Sequence, residues 1–181
     1  MIEPKYIYTG ATFDSARVYR YSLWRRWDEG LPVVAFVMLN PSTADETKLD
    51  PTLRRCLRFA IDLGYGGFDV VNLFALRATD PGELKRAADP IGDLNDAAIC
   101  RSAESAARVI CAWGVNPMAF NRSRDVSEML SGICLWALGL TSGLQPRHPL
   151  YMPADAKPTI WRQPEPVAIA TGRPAVKEPA P

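Results

Sequence analysis

The chain has few of the groups that commonly announce chemistry. Its 181 residues include a single histidine, His148, and four cysteines, Cys56, Cys100, Cys111 and Cys134. No two cysteines form a CxxC pair or a metal-finger spacing, so no metal site and no cofactor motif is expected. Cys111 and Cys134 lie in apolar runs, where a thiol serves as a small buried hydrophobe. A phosphate-cradling P-loop and a GxSxG nucleophile elbow are both missing. No apolar stretch approaches the roughly 18 residues of a membrane span and no signal peptide is visible, which predicts a cytoplasmic protein with reduced thiols and no membrane partner. A net charge of +1 supplies no global attraction to nucleic acid or anionic lipid, so any such binding must rest on a local patch. No internal repeat is visible.

What is present is an ordinary globular composition, 48% hydrophobic and 23% charged, and a length that suits one domain with a substantial core. The chain is organised around residues 33 to 45. Val33 to Leu39 is an unbroken apolar run, the pattern of a strand buried on both faces. Asn40-Pro41 stops it, because proline cannot donate to a ladder and biases its predecessor away from helix. Ser42, Thr43 and Asp45 follow with side-chain oxygens where a loop or helix should begin. Ligands of open α/β sheets sit just beyond the carboxyl ends of the strands, which directs attention to Asn40.

Three more buried strands are predicted: Phe68 to Val71 ending at Asn72, Arg108 to Trp113 ending at Gly114, and Cys134 to Leu138. Helical segments separate them. Asp50-Pro51-Thr52 opens one, with Asp50 as N-cap and Pro51 at the first helical position. A short segment starts at Asp80-Pro81, and longer helices are expected over Asn95 to Ala107 and Asn116 to Leu130. Buried strands alternating with helices imply an α/β fold with a central four-stranded parallel sheet covered on both faces. Residues 1 to 16 read as mixed and turn-rich. Arg17 to Trp27 alternates basic with aromatic side chains, as an N-terminal antiparallel edge strand whose arginines form a solvated border or a phosphate-facing stripe. The single domain is expected over residues 1 to 163, and the Pro/Ala-rich stretch from Pro164 to Pro181 as a disordered tail.

The strand ends and His148 should share one rim of that sheet. Asparagine offers both a donor and an acceptor, suited to reading an amide-like edge or to holding a water. Histidine can donate to a carbonyl where negative charge develops. Phe74, Trp113 and Tyr151 lie near the same ends and could stack on a planar guest, although Trp113 fits the core better. Asp45, Asp50 and Asp80 are available as bases, with helix capping the expected duty of the last two.

Leu-Asn-Pro-Ser-Thr-Ala-Asp, Asp-Pro-Thr-Leu-Arg-Arg-Cys, Asn-Leu-Phe-Ala-Leu-Arg-Ala-Thr-Asp-Pro, Ala-Trp-Gly and Pro-Arg-His-Pro-Leu-Tyr resemble the domain-of-unknown-function family 1643 over roughly residues 15 to 162. The order of motifs is also similar to that of the uracil-DNA glycosylase superfamily. Leu39-Asn40-Pro41 resembles its first motif, with Met38 where a glycine is usual. Asn72 falls at its pyrimidine-reading asparagine, and His148-Pro149-Leu150 at its late histidine motif, with Leu-Tyr in place of small residues. That resemblance implies a three-layer α/β/α sandwich and an enzyme that binds a nucleobase and hydrolyses its N-glycosidic bond. Asn40 would hold the water with Asp45 in support, and His148 would stabilise the departing base. Asn72, Phe74, Pro41, Ser42 and Tyr151 would contact the base, and Arg54, Arg55 and Arg147 would meet phosphates. The implied partner is a nucleobase-containing ligand, possibly within DNA. Two other readings fit the same residues: a non-catalytic module for a modified base or nucleotide, and a hydrolase of free nucleosides or nucleotides.

Overall fold

A computed structural model describes residues 3–42 and 49–165. The strands are β1 (Tyr8–Phe13), β2 (Arg20–Arg26), β3 (Val33–Met38), β4 (Gly67–Asn72), β5 (Arg108–Cys111), β6 (Leu135–Ala137) and β7 (Thr159–Arg162). The α-helices are α1 (Pro51–Asp62), α2 (Pro81–Arg86), α3 (Asn95–Ser105) and α4 (Ala119–Met129), and one 3₁₀ turn spans Pro149–Tyr151. The strands form a single sheet in the order β1-β2-β4-β3-β5-β6-β7. The neighbours β4–β3, β3–β5 and β5–β6 are parallel, whereas β1–β2, β2–β4 and β6–β7 are antiparallel.

This sheet corrects the expected fold class. A four-stranded parallel sheet in a glycosylase-like three-layer sandwich, with one antiparallel edge strand, gives way to a seven-stranded mixed sheet in which half the pairings are antiparallel. β2 is not an edge, because β1 covers it from Tyr8 opposite Arg26 to Phe13 opposite Arg20. β1 hides in the sequence because it is short, half-exposed and broken by Gly10. That glycine is required: a Cβ there would lie 2.3 Å from the Trp24 ring. The arginines of β2 are not a solvated border either, since Arg20 is 3% and Arg25 1% exposed.

The core has two halves, one on each face of the sheet. Val34, Phe36 and Met38 of β3 pack with Phe68 and Val70 of β4 against Leu53, Cys56, Leu57 and Phe59 of α1. Ala35, Val37, Val71 and Val109 face the other way, toward Leu84, Ile99 and Val126 of α2, α3 and α4. Cover on both faces explains the unbroken apolar run of β3. Helix α1 begins where Asp50 Oδ1 accepts from Leu53 N at 2.7 Å, with Pro51 in its first turn. It ends at Gly64, whose φ of +82° suits glycine.

All four cysteines are free; Cys56 and Cys111 are buried, while Cys100 and Cys134 are partly exposed. Burial pushes the Cys56 and Cys111 thiols up, so neither is a nucleophile. Among the described residues no helix is long and apolar enough to cross a membrane. Of the tail expected over Pro164–Pro181, residues 166–181 lie outside the described residues, and Glu165 within it donates its backbone N–H to Ser131 O at 2.8 Å.

Candidate functional site

Met38 and Asn72 are register partners at the carboxyl ends of β3 and β4. The chain beyond them stays locked: Leu73 N donates to Met38 O at 2.8 Å, Phe74 N to Leu39 O at 3.0 Å and Ala78 N to Pro41 O at 3.0 Å. Asn40 strengthens the lock by donating its Nδ2 to Pro41 O at 3.0 Å and Ala78 O at 2.8 Å. Both amide hydrogens are therefore spent, and Oδ1 is the group Asn40 has left to offer. Ser42 Oγ donates to Asp50 Oδ2 at 2.5 Å, tying this loop to the start of α1.

β5 leads to the third wall. Trp113 is 2% exposed, donates Nε1 to Gln145 Oε1 at 3.1 Å and meets the Trp161 ring edge-on. Gly114 follows with φ +77°, and its N–H donates to Pro146 O at 2.9 Å. A Cβ at Gly114 would stand 3.2 Å from His148 Cβ, so this glycine lets the histidine loop close onto the sheet. Arg55 clamps the same loop from α1, donating Nε to Pro149 O at 3.3 Å and Nη2 to Met152 O. His148 Nδ1 accepts from Leu150 N at 3.4 Å, which leaves the proton of the neutral ring on Nε2. Burial lowers the His148 pKa and the nearby Asp50 charge opposes the shift, so the imidazole is neutral at pH 7.

These elements enclose a cavity of about 190 Å³. Asn40, Asn72 and His148 all line it, together with Ser42, Asp50, Thr52, Thr79, Trp113 and Arg20. Its volume is below the roughly 300–1,000 Å³ of drug-sized pockets, so a small ligand or one moiety of a larger one fits. Asn72 is 1% exposed, and its Nδ2 is buried with no hydrogen-bond partner among the described residues. Native proteins seldom leave such a donor unpaired, and a bound acceptor is the natural remedy.

Other predicted positions fall elsewhere. Phe74 is 4% exposed in the core on the α3 side and does not line the cavity, so it has no free face for stacking. Pro41 is buried and contributes only its carbonyl to the lock. Tyr151 is 72% exposed, its ring centre 5.9 Å from that of His148. Arg54 and Arg147 are exposed on the surface away from the lining, while Arg55 turns toward backbone carbonyls. Asp45 lies outside the described residues. Among the described residues the carboxylate that reaches the cavity is Asp50, which caps α1 and lines the site at once.

Arg20 is the residue that sequence patterning misses. On β2, Leu23 packs on the α1 face, and strict alternation would send Tyr21 there too. The register instead slips between Thr12–Ser22 and Phe13–Arg20, leaving Tyr21 as the extra residue of a bulge. Tyr21 packs with Ala75 and Ala98, and Arg20 turns into the cavity. The missed signal was a basic residue set one position out of step with its strand.

The family model described as a protein of unknown function, DUF1643, matches residues 20–150. The chain belongs to this family. The matched stretch starts at Arg20 and passes His148, so it contains every residue that lines the cavity. No curated protein and no solved structure matches the chain. Membership in DUF1643 carries no activity, so function has to be argued from the site. Among the described residues no three His, Cys, Asp or Glu side chains are grouped to hold a metal ion.

Proposed function

We propose that this protein binds a nucleobase in the cavity at the ends of β3 and β4 and hydrolyses the N-glycosidic bond that carries it. The observation that carries the reading is Asn72 Nδ2, buried with no partner among the described residues, on a residue that lines the same small cavity as Asn40, a neutral His148 and Asp50. An amide donor and an imidazole N–H together complement the carbonyl-bearing edge of a base. In the reaction a water oxygen attacks the anomeric carbon and the C–N bond breaks with its electron pair leaving on the base. Asn40 Oδ1 orients the water, and the water's proton passes to Asp50. His148 Nε2–H and Asn72 Nδ2–H hold the departing base, and the Arg20 charge favours its anionic form.

The test is release of free base from DNA, RNA and nucleosides with varied bases. Asn40→Ala should lower release by about 10²-fold or more while binding persists. Release at the parental rate by that variant would overturn the assignment. A second reading, binding without catalysis, draws support from Asp50, whose carboxylate already accepts from Leu53 N and Ser42 Oγ. Saturable nucleoside binding with no base released from any substrate would select it.

A further inference from the structure

The main chain that carries Asn72 is gripped from the far side of the sheet. Two buried polar side chains that do not line the cavity, Asn95 of α3 and Arg122 of α4, do the gripping. The ladder between β2 and β4 runs from Arg26–Gly67 to Leu23–Val70, so beyond Val70 the chain of β4 has lost that neighbour. Asn95 Nδ2 takes its place, donating to Asn72 O and to Leu73 O, each at 3.0 Å. Arg122 Nε also donates to Leu73 O, at 3.0 Å, and its Nη2 pairs with Asp96 Oδ1. Asn95 Oδ1, by contrast, is buried with no hydrogen-bond partner among the described residues. An apolar side chain would avoid that cost but would take the Nδ2 donor from two buried main-chain carbonyls.

The peptide unit between Asn72 and Leu73 is thereby held at both ends, its carbonyl by Asn95 and its N–H by Met38 O at 2.8 Å. Because the unit is planar, holding both ends sets the backbone torsion that follows Asn72, and with it the direction in which the side chain leaves the chain. We propose that Asn95 and Arg122 are positioning residues, which place the Asn72 side-chain amide at the cavity by fixing the Asn72–Leu73 main chain. Binding groups need such support, because about 0.5 Å of misplacement already spoils a productive geometry. The identity of the ligand rests on the reading above; the placement of Asn72 does not.

NMR of the Asn72 side-chain amide in the ligand-free protein tests the proposal. Asn95→Leu, similar in size but without donors, should shift or broaden that resonance. Arg122→Met removes one of the three bonds and should move it less. Ser102→Ala is the control, because Ser102 Oγ also ties α3 to β4, donating to Asp69 Oδ2 at 3.3 Å; it should leave the Asn72 amide in place. Titration with uridine, cytidine, adenosine and guanosine adds a functional readout. The nucleoside that binds best should lose about 10-fold in affinity in Asn95→Leu, and the loss should vanish in the Asn72→Leu background. An Asn72 amide unmoved by Asn95→Leu, or by Arg122→Met should the first variant not fold, would overturn the proposal. So would an equal shift in Ser102→Ala, or an affinity loss that adds fully to that of Asn72→Leu. Were no nucleoside to bind the parent, the base reading would fail, and the amide shift alone would decide the positioning.

Discussion

Two hollows flank β4, and the larger one makes the weaker case for chemistry. The groove between α3 and the β1–β2 flank has a volume of about 270 Å³, against about 190 Å³ for the cavity at the strand ends. In the groove, Arg26 Nη2 meets Asp69 Oδ1 at 2.5 Å and Ser102 Oγ donates to Asp69 Oδ2 at 3.3 Å. Ser22 Oγ donates to Thr12 Oγ1 at 3.2 Å. These polar groups satisfy one another, as groups holding a β-flank to a helix should. In the cavity, among the described residues, Asn72 Nδ2 has no partner and no hydrogen bond engages the His148 Nε2–H. The contrast teaches that unsatisfied hydrogen-bonding capacity, more than volume, separates a site prepared for a guest from a seam in the fold.

The sharpest break of this comparison is Asn72→Leu. Ligand affinity should fall by about 10- to 100-fold, while thermal stability holds or rises, because a buried unpaired donor is replaced by an apolar group of similar size. Chemical denaturation beside a binding titration would show both effects, and a clear loss of stability would mean the amide is satisfied in the free protein. The mirror experiment is Arg26→Met, which leaves the Asp69 carboxylate short of its partner. It should cost about 1–3 kcal/mol of unfolding free energy and leave ligand binding alone.

Smaller effects follow. Gly114→Ala should lose about 1–2 kcal/mol from its left-handed backbone, and should reduce activity further by displacing His148, whose Cβ is 3.2 Å away. The pH dependence has a defined sign. His148 sits below its ordinary value of 6.5 because burial disfavours the imidazolium. The unfolded chain therefore takes up a proton more readily than the folded one. The stability this provides is complete above about pH 6.5 and is lost as pH falls through the lower folded value. His148→Gln should flatten that limb in pH-dependent melting curves. The smallest effects belong to Arg54→Ala and Arg147→Ala, which should stay within about 0.5 kcal/mol of the parent in stability.

Much of the site's scaffold was legible in the sequence. The apolar run before Asn40-Pro41, the Asp50-Pro51 cap and the strand before Asn72 are local signals, and β3, α1 and β4 appear where those signals place them. The lone histidine and the two asparagines do share one cavity. What was hidden depends on contacts between distant segments. β1 and β7 are short and largely exposed, so their pairing partners, rather than their own patterns, define them. The burial of Arg20 follows from a bulge that only the register of two strands reveals. Phe74 was misplaced for a related reason: its backbone N–H bonds to Leu39 O beside the cavity, yet its ring packs on the other side of the sheet.

The most direct measurement follows the side-chain amide of Asn72 by NMR while nucleosides and nucleotides are added. We expect the Asn72 Nδ2 protons to move saturably downfield as they gain an acceptor, with His148 shifting in parallel. If no nucleobase-containing ligand perturbs that amide while the protein remains folded, the cavity is not a base-binding site.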